Sequence, residues 1–451
     1  MPAGVAVMTV KTIPRFCHFL DNKLDDFLPA IRGWNKKAFT RKSKIHLVDL
    51  FRQMICRQNV SQFSEVVKYY NSMNSNSPVN EKSFFLARRK INPDAVRQMS
   101  DEFVAEIYDD CDSSILKWND LVVLGVDGSK YTVPSTDVNK QIFGVNVNKS
   151  DVHPAMALVS ILHDCLNGLK LDVRVDRIDG SERELAARHI RQYCDRYTKK
   201  AVFVFDRGYV SIRLMDQIDN TEQYFLMRVT NSAYKKYFDQ VDVGECKELE
   251  VSFNRVETND YRDDKSFRAH LLNTVYHFRF AKVVIGKDEN GNDSVEYLIT
   301  NLPEELATAE KLKELYWERW SIETSYNRLK NRMHTEEFSG YSPELVLQDI
   351  YADAWMFNLV SLKIKEADED KPAKQKQGRY IISRNFNKTL GTTKENLLKS
   401  MLSEYPEERK RLSEQIDATI DVSLNWVKDE PGQFERKTAV NKSKMSYRKS
   451  Y

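Results

Sequence analysis

Two short runs, LVVLGV ending at Val126 and AVFVF ending at Phe205, contain no polar side chain, and each runs directly into an aspartate, Asp127 and Asp206. An unbroken apolar run of this length marks a strand buried on both faces, with helices packed above and below it. Around them YTVP, ALVSIL, LDVRV and YFLMRV also read as strands. ALVSIL and LDVRV are joined through the turn-forming Asn167-Gly168 as a hairpin. Ser181 and Glu184 form a capping box ahead of the amphipathic LAARHIRQY, and SIRLMDQI is a second helix before YFLMRV. Each aspartate is expected at the end of its strand. The pattern predicts an α/β fold, a mixed sheet with helices packed on it.

The flanks differ in character. Residues up to about 115 read as helices, with HLVDLFRQMI, FSEVVKYYNSM and EKSFFLARRKI at helical spacing and NSNSPVN as a loop. After residue 230, CKELEVSF, HFRFAKVVI and VEYLIT alternate as strands around the turn GKDENGND, a β-rich insertion. A long apolar helix is predicted from Ser342-Pro343 to about Ile364, followed by the charged loop EADEDKPAKQKQG. YIISRNF and LLKSMLSEY lie beyond it, and the last sixteen residues hold six Lys/Arg and no acid.

A chain of 451 residues with 41% hydrophobic and 30% charged residues reads as globular and divided into domains. No run approaches the ~20 apolar residues of a membrane span, and the opening MPAGVAVMTV lacks the basic start of a signal peptide. The six cysteines are scattered without metal-ligand spacing, which fits reduced thiols in a cytoplasmic protein. The net charge of +3 is uneven: residues 1–100 carry 17 Lys/Arg against 7 Asp/Glu, so that segment stands at +10 and the remainder at −7. The simplest reading is a basic front that binds a polyanion, with the cluster Arg88, Arg89 and Lys90 on a helix-turn-helix-like reader.

In YWERWSIETSYNRLK, Tyr316, Arg319, Glu323 and Lys330 stand at offsets of three, seven and fourteen. On one continuous helix they share an arc of roughly 60°. Leu315, Ile322, Tyr326, Leu329 and Met333 form an apolar stripe beside them, so the acid lies at the rim of a core. Taken alone, the stripe is equally a solvated face of ordinary charge pairs. Likewise each aspartate alone is more simply a turn or cap residue. Together, Asp127, Asp206 and Glu323 could supply the oxygen ligands of two Mg²⁺ ions, with Mn²⁺ as a substitute. Such ions would activate a nucleophile on a phosphodiester. Arg207, in DRGY, offers a nearby cation.

These motifs resemble the DDE transposases of bacterial insertion sequences, specifically the family named after insertion sequence four, whose signature is Tyr-(2)-Arg-(3)-Glu-(6)-Lys. The signature is complete here as Tyr316, Arg319, Glu323 and Lys330, with the first acid in GVDGSKYTVPST and the second in FVFDRGY. FTRKSKIHLVDLF and SFFLARRKI are also similar to that family's N-terminal segments. The resemblance implies an RNase H-like core interrupted by the insertion, with metal ligands Asp127, Asp206 and Glu323. Tyr316, Arg319 and Lys330 would hold the terminal DNA phosphates around a flipped base. It implies a DNA-binding segment over 1–115, core over 116–229 and 304–364, insertion over 230–303, and a C-terminal region over 365–451 used in dimerisation. The implied partners are double-stranded DNA, as element terminal inverted repeats and as target, with a homodimer on paired ends and no membrane. The implied chemistry is Mg²⁺-dependent nicking, hairpin formation at the element end, and strand transfer, in the bacterial cytoplasm on the nucleoid.

One departure stands out: relatives stack the flipped base on a tryptophan of the insertion, and no Trp lies between Arg207 and Tyr316. Three other readings compete. They are an inactive or domesticated relative that only binds DNA, a nuclease on the same fold that does not join strands, and a carboxylate-pair glycosidase.

Overall fold

The computed structural model describes residues 11–428 except 34, 74–78, 111–113, 148–152, 231, 288–292, 371–374 and 378–379. The opening decapeptide, the tip of NSNSPVN, Cys111, most of GKDENGND, part of the charged loop after the long helix, and the basic tail therefore lie outside the described residues.

The core is an eight-stranded sheet. Its strands are β1 (Val122–Thr132), β2 (Met156–Asp164), β3 (Leu169–Arg177), β4 (Ala201–Phe205), β5 (Tyr224–Val229), β6 (Cys246–Ser252), β7 (Val275–Lys287) and β8 (Asp293–Thr300). Their spatial order is β3-β2-β1-β4-β5-β8-β7-β6. β1, β4 and β5 run parallel to one another, and every other neighbouring pair is antiparallel.

The apolar runs are buried on both faces. Leu121, Val123, Val202 and Val204 pack with Leu312 and Leu315 of the helix Ala309–Glu318. Val122, Leu124, Val126, Phe203 and Phe205 face the larger core on the other side. Side chains of a strand alternate between faces, so a run apolar at every position is the sequence image of a sheet covered twice.

The structure adds detail to the expected elements and moves some of their boundaries. LVVLGV and YTVP are parts of the single eleven-residue strand β1, so Asp127 lies inside a strand rather than at its end. Its backbone stays in the ladder because β2 runs alongside and pairs Asp127 with Ile161. The insertion strands extend the core sheet at its far edge: β8 pairs with β5, and β7 and β6 carry the sheet onward. Phe278 meets Phe225 edge-on at 5.2 Å across that junction.

The long helix runs from Pro343 to Asp370, beyond Ile364, because its acidic end is held: Glu366 accepts from the Thr12 amide at 2.9 Å and Asp370 pairs with Lys11 at 2.9 Å. Gln375–Gln377 then forms β9 of a small sheet with β10 (Tyr380–Arg384) and β11 (Leu424–Lys428). Finally, in LLKSML, Leu397 and Met401 are buried in the common core, so these side chains are spent within the chain and are not free for a second subunit.

The N-terminal helices share the core of the sheet. Phe16 meets both Phe103 and Trp355 edge-on at 5.4 Å, joining Thr12–Lys23, Pro93–Asp110 and Pro343–Asp370. Four buried charges pin the same seam. Arg57 pairs with Asp353 and, at 3.6 Å, with Asp349, and it donates to the Glu337 carbonyl at 2.8 Å. Arg88 pairs with Asp349 and donates to Gln348 and Ser339, each at 2.9 Å.

None of the five described cysteines is in a disulfide. No helix among the described residues is long and apolar enough to cross a membrane.

Candidate active site

The site forms where β1 and β4 run side by side. The parallel register pairs Gly125 with Val204, and two residues further along it sets Asp127 beside Asp206. Asp127 has the same parity as Leu121 and Val123, so its side chain leaves the sheet on the face covered by Ala309–Glu318. Gly125 is small for a reason: a Cβ there would stand 3.1 Å from the Cys165 sulfur and 3.8 Å from Ile322, the residue before Glu323. Asp206 follows β4 directly and caps the short turn Arg207–Tyr209, its Oδ1 accepting from the Gly208 amide at 2.8 Å.

Glu323 arrives from the opposite direction on the helix Trp320–Asn331. YWERWSIETSYNRLK is two helices rather than one, and the joint is Arg319. The Arg319 amide bonds back to the Tyr316 carbonyl at 3.2 Å and the Ile322 amide to the Arg319 carbonyl at 3.0 Å. Both are three-residue spacings, so the chain tightens there and the single 60° stripe does not hold across Arg319.

The second helix is fastened by Tyr326. Its hydroxyl donates to the Asp127 carbonyl at 2.7 Å and lies 3.0 Å from the Val159 carbonyl. Because Tyr326 is one turn from Glu323, that contact sets Glu323 over β1. Sequence reading placed Tyr326 in the apolar stripe. The available signal was a phenol among aliphatic residues, which needs a hydrogen-bond partner once buried.

The charges do not balance. Arg319, 5% exposed, donates to Glu323 Oε1 at 2.8 Å, with its guanidinium 5.6 Å from the Tyr316 ring centre and 5.5 Å from that of Trp320. Burial works against the Arg319 charge, but Tyr316, Glu323 and Asp127 outweigh it and raise its pKa. Burial likewise pushes Asp127 up to about 7; Arg319 and the Gly128 amide oppose that rise, while Asp206 and Glu323 add to it. Asp127 and Glu323 thus share Arg319, and Asp206 adds a third negative charge beside Asp127.

Glu182, which the sequence analysis did not single out, is a further acid near the site. Its carboxyl carbon lies 3.0 Å from where a Cβ of Gly128 would be.

The other expected residues are dispersed. Tyr316 is buried beside Arg319 and Arg228, and burial raises its pKa against both cations. Lys330 donates to the Lys130 carbonyl at 2.6 Å and lies 4.6 Å from the Tyr131 ring centre; burial lowers its pKa, with Glu336 opposing. Arg207 is exposed next to Asp206. Arg88 is corrected: it is fully buried in its pair with Asp349, so it cannot meet a ligand at the surface. Arg89 and Lys90 remain exposed, Arg89 at 3.8 Å from Glu344.

The donor set suits a hard divalent cation, since all its members are carboxylate oxygens that repel one another at Asp127. As they stand, no three His, Cys, Asp or Glu side chains among the described residues converge on one ion position. Glu323 is turned to Arg319, and Asp206 to its own turn.

Three comparisons with known proteins bear on this geometry. The chain is 38% identical over 60 residues to the transposase for insertion sequence element IS421 of Escherichia coli, 13% of this chain and 15% of that protein. It is 26% identical over 156 residues to the probable transposase for insertion sequence element IS5377 of Geobacillus stearothermophilus, 34% of this chain and 36% of that protein. The chain thus matches well under half the length of either relative. A cryo-EM structure of a piggyBac transposase synaptic complex with hairpin DNA aligns over 95% of this chain and 88% of that one, with a TM-score of 0.43 and 11% identity. The family described as "Transposase DDE domain" matches residues 118–359, more than half of the chain and the whole span from β1 to the helix after Glu323. On that match, the chain belongs to the transposase DDE domain family.

Proposed function

We propose that this chain is an active insertion-sequence transposase that cuts element ends and joins them to target DNA. The observation that carries this reading is the gathering of acids at one point of a sheet: Asp127 beside Asp206 on the parallel strands β1 and β4, and Glu323, paired with Arg319, held over β1 by Tyr326. Strand order β3-β2-β1-β4-β5, with β1, β4 and β5 parallel, supports an RNase H-like core.

Asp127, Asp206 and Glu323 would hold Mg²⁺, as one ion or a pair. Bound there, the metal would activate a water or a 3′-hydroxyl and stabilise the leaving oxygen. The residues of the chain would prepare that step. Tyr326 fixes the height of Glu323 over β1, and Arg319 keeps Glu323 neutralised until a phosphate competes for the guanidinium. Lys330, half-buried next to β1, and the exposed Arg207 would hold phosphates on either side of the carboxylates. Trp317, 43% exposed, stacks on Trp320 at 6.1 Å, which gives an aromatic face close to Arg319 for a displaced base and supports the hairpin route. Two copies would meet on paired ends.

The test is a duplex carrying the element end, incubated with the full chain and Mg²⁺ or Mn²⁺. Nicked, hairpin and joined products are expected, all lost with chelator. Binding without any cleavage would instead favour the inactive relative, and nicking without joined products a nuclease. Arg319→Ala and Lys330→Ala should reduce hairpin yield more than nicking.

A further inference from the structure

We propose that Glu182 is a fourth carboxylate of the active site and that, with Asp127, it holds a second divalent cation apart from the position served by Glu323. This rests on reading Asp127, Asp206 and Glu323 as metal ligands, and adds to them a residue from a separate helix.

Glu182 is the first residue of the helix Glu182–Arg196, which Ser181 caps by accepting from the Glu184 amide at 3.3 Å. An acid in a first helical turn ordinarily serves the helix dipole from the surface. Glu182 is instead half-buried. A Cβ on Gly128 would stand 3.0 Å from its Cδ, 3.1 Å from its Oε1 and 3.2 Å from its Cγ, so the missing side chain of Gly128 is what admits the carboxylate next to Asp127. The neighbouring Arg183 donates to the Gly208 carbonyl at 3.1 Å, which ties the start of this helix to the turn that Asp206 caps. Among the described residues no cation pairs with Glu182, whereas Glu323 has Arg319.

The end of β4 opens the way between the two faces of the sheet. The pairing of β1 with β4 stops at Gly125 and Val204, and β1 continues to Thr132 with no strand on that side. Asp127 and Gly128 point to opposite faces. Beside an open edge, groups brought up from both faces can meet.

A second observation marks the same place. Tyr209, in the turn after Asp206, is 1% exposed, and its hydroxyl is buried without a partner at full hydrogen-bond geometry. Burial raises its pKa, and Asp127, Glu182 and Asp206 each raise it further, Glu182 also as an acceptor. The phenol thus points among three carboxylates and leans on Glu182 without completing a bond. A buried hydroxyl left in that state costs about 1–3 kcal/mol. Oriented by that hydroxyl through one oxygen, Glu182 keeps the other for a cation, and Tyr209 is a positioning residue.

Formal charge agrees. Asp127, Asp206, Glu323 and Arg319 together carry −2, and Glu182 takes the site to −3, closer to the +4 of two divalent ions. Glu323 and Glu182, arriving on different helices, give each ion a carboxylate of its own while Asp127 is shared.

The experiment counts Mn²⁺ bound to the full chain by the electron paramagnetic resonance of the free ion, with a pre-cleaved element-end duplex present so that nothing remains to be cut. Wild type should take up two ions per chain. Glu182→Gln should keep one and weaken the other at least about tenfold. Glu184→Gln, in the same turn and still able to cap, should match wild type. Tyr209→Phe should weaken the same ion less, and should add nothing in the Glu182→Gln background, since it acts only through Glu182. Without metal, Glu182→Gln should melt no lower than wild type, because it removes one of several like charges.

Two undiminished ions in Glu182→Gln, or only one in wild type, would overturn the proposal and leave Asp127, Asp206 and Glu323 as ligands. So would a lowered melting point that accompanies the loss, which would make Glu182 structural. A further loss from Tyr209→Phe in the Glu182→Gln background would overturn Tyr209 as its positioning residue. Mn²⁺ uptake unchanged by Asp127→Asn would sink the metal-site reading itself.

Discussion

Two clusters of charge lie in one fold and behave oppositely. At the seam between the N-terminal helices and Pro343–Asp370, two arginines face two aspartates, and Ser339, Gln348 and the Glu337 carbonyl take up the remaining donors. Burial alone would push the Asp349 carboxyl up, yet Arg57 and Arg88, helped by the Ser339 amide, hold it below its usual value. At the sheet, Asp127 and Glu323 share Arg319 with Asp206 close to Asp127, and burial together with the two other acids raises Asp127 to about 7. Matched charges are a structural device, whereas a surplus of one sign keeps a site in need of something it does not contain.

The largest effect expected from this contrast is on chemistry. Asp127→Ala, Asp206→Ala or Glu323→Ala should leave duplex binding near wild type and reduce nicking and joining below detection on an element-end duplex. Robust cleavage by any one of them would remove that residue from the site.

Next comes the structural cluster. Arg88→Ala leaves Asp349 with Arg57 alone and should cost about 3–5 kcal/mol in denaturant unfolding, while activity per folded molecule persists. A cost below about 1 kcal/mol would show that the seam is not held by its ion pairs.

Tyr326→Phe, with the Asp127 carbonyl left short of a donor, should cost about 1–3 kcal/mol and should also slow cleavage, since it loosens Glu323. Destabilisation without slower cleavage would reduce Tyr326 to a packing role.

The smallest effect is a pH signature. With its folded pKa above the unfolded value, Asp127 holds its proton more tightly in the native state. The stability this gives is full below about pH 4 and is lost as pH rises through about 7. Asp349 has the opposite sign: its contribution is present at neutral pH and is lost in acid. In metal-free buffer, Asp127→Asn should therefore melt above wild type by a margin that widens by roughly one or two degrees from pH 5 to pH 8. A constant margin would mean that burial and the neighbouring acids do not raise the Asp127 pKa.

How far the sequence reaches can be judged residue by residue. The doubly buried strands, the hairpin at Gly168, the capped helix after Ser181 and the three insertion strands were all legible. Each is written in local periodicity and turn chemistry, which act over a few residues. The spacing of Tyr316, Arg319, Glu323 and Lys330 was equally plain, but the single helix it implied is broken at Arg319.

What local pattern could not supply was the partner across the fold. Asp127 reads as the end of its own apolar run, and only β2 alongside it keeps the strand going. Arg88 looks like the neighbour of Arg89 and Lys90, and only Asp349, 261 residues away in sequence, turns it inward. Tyr326 looks apolar until β1 offers the Asp127 carbonyl. The sequence by itself determined which segments become strands and helices and which residues can carry charge. Tertiary structure decided which charges are cancelled and which are left over, because desolvation and Coulomb energy depend on neighbours in space and not on neighbours in the chain.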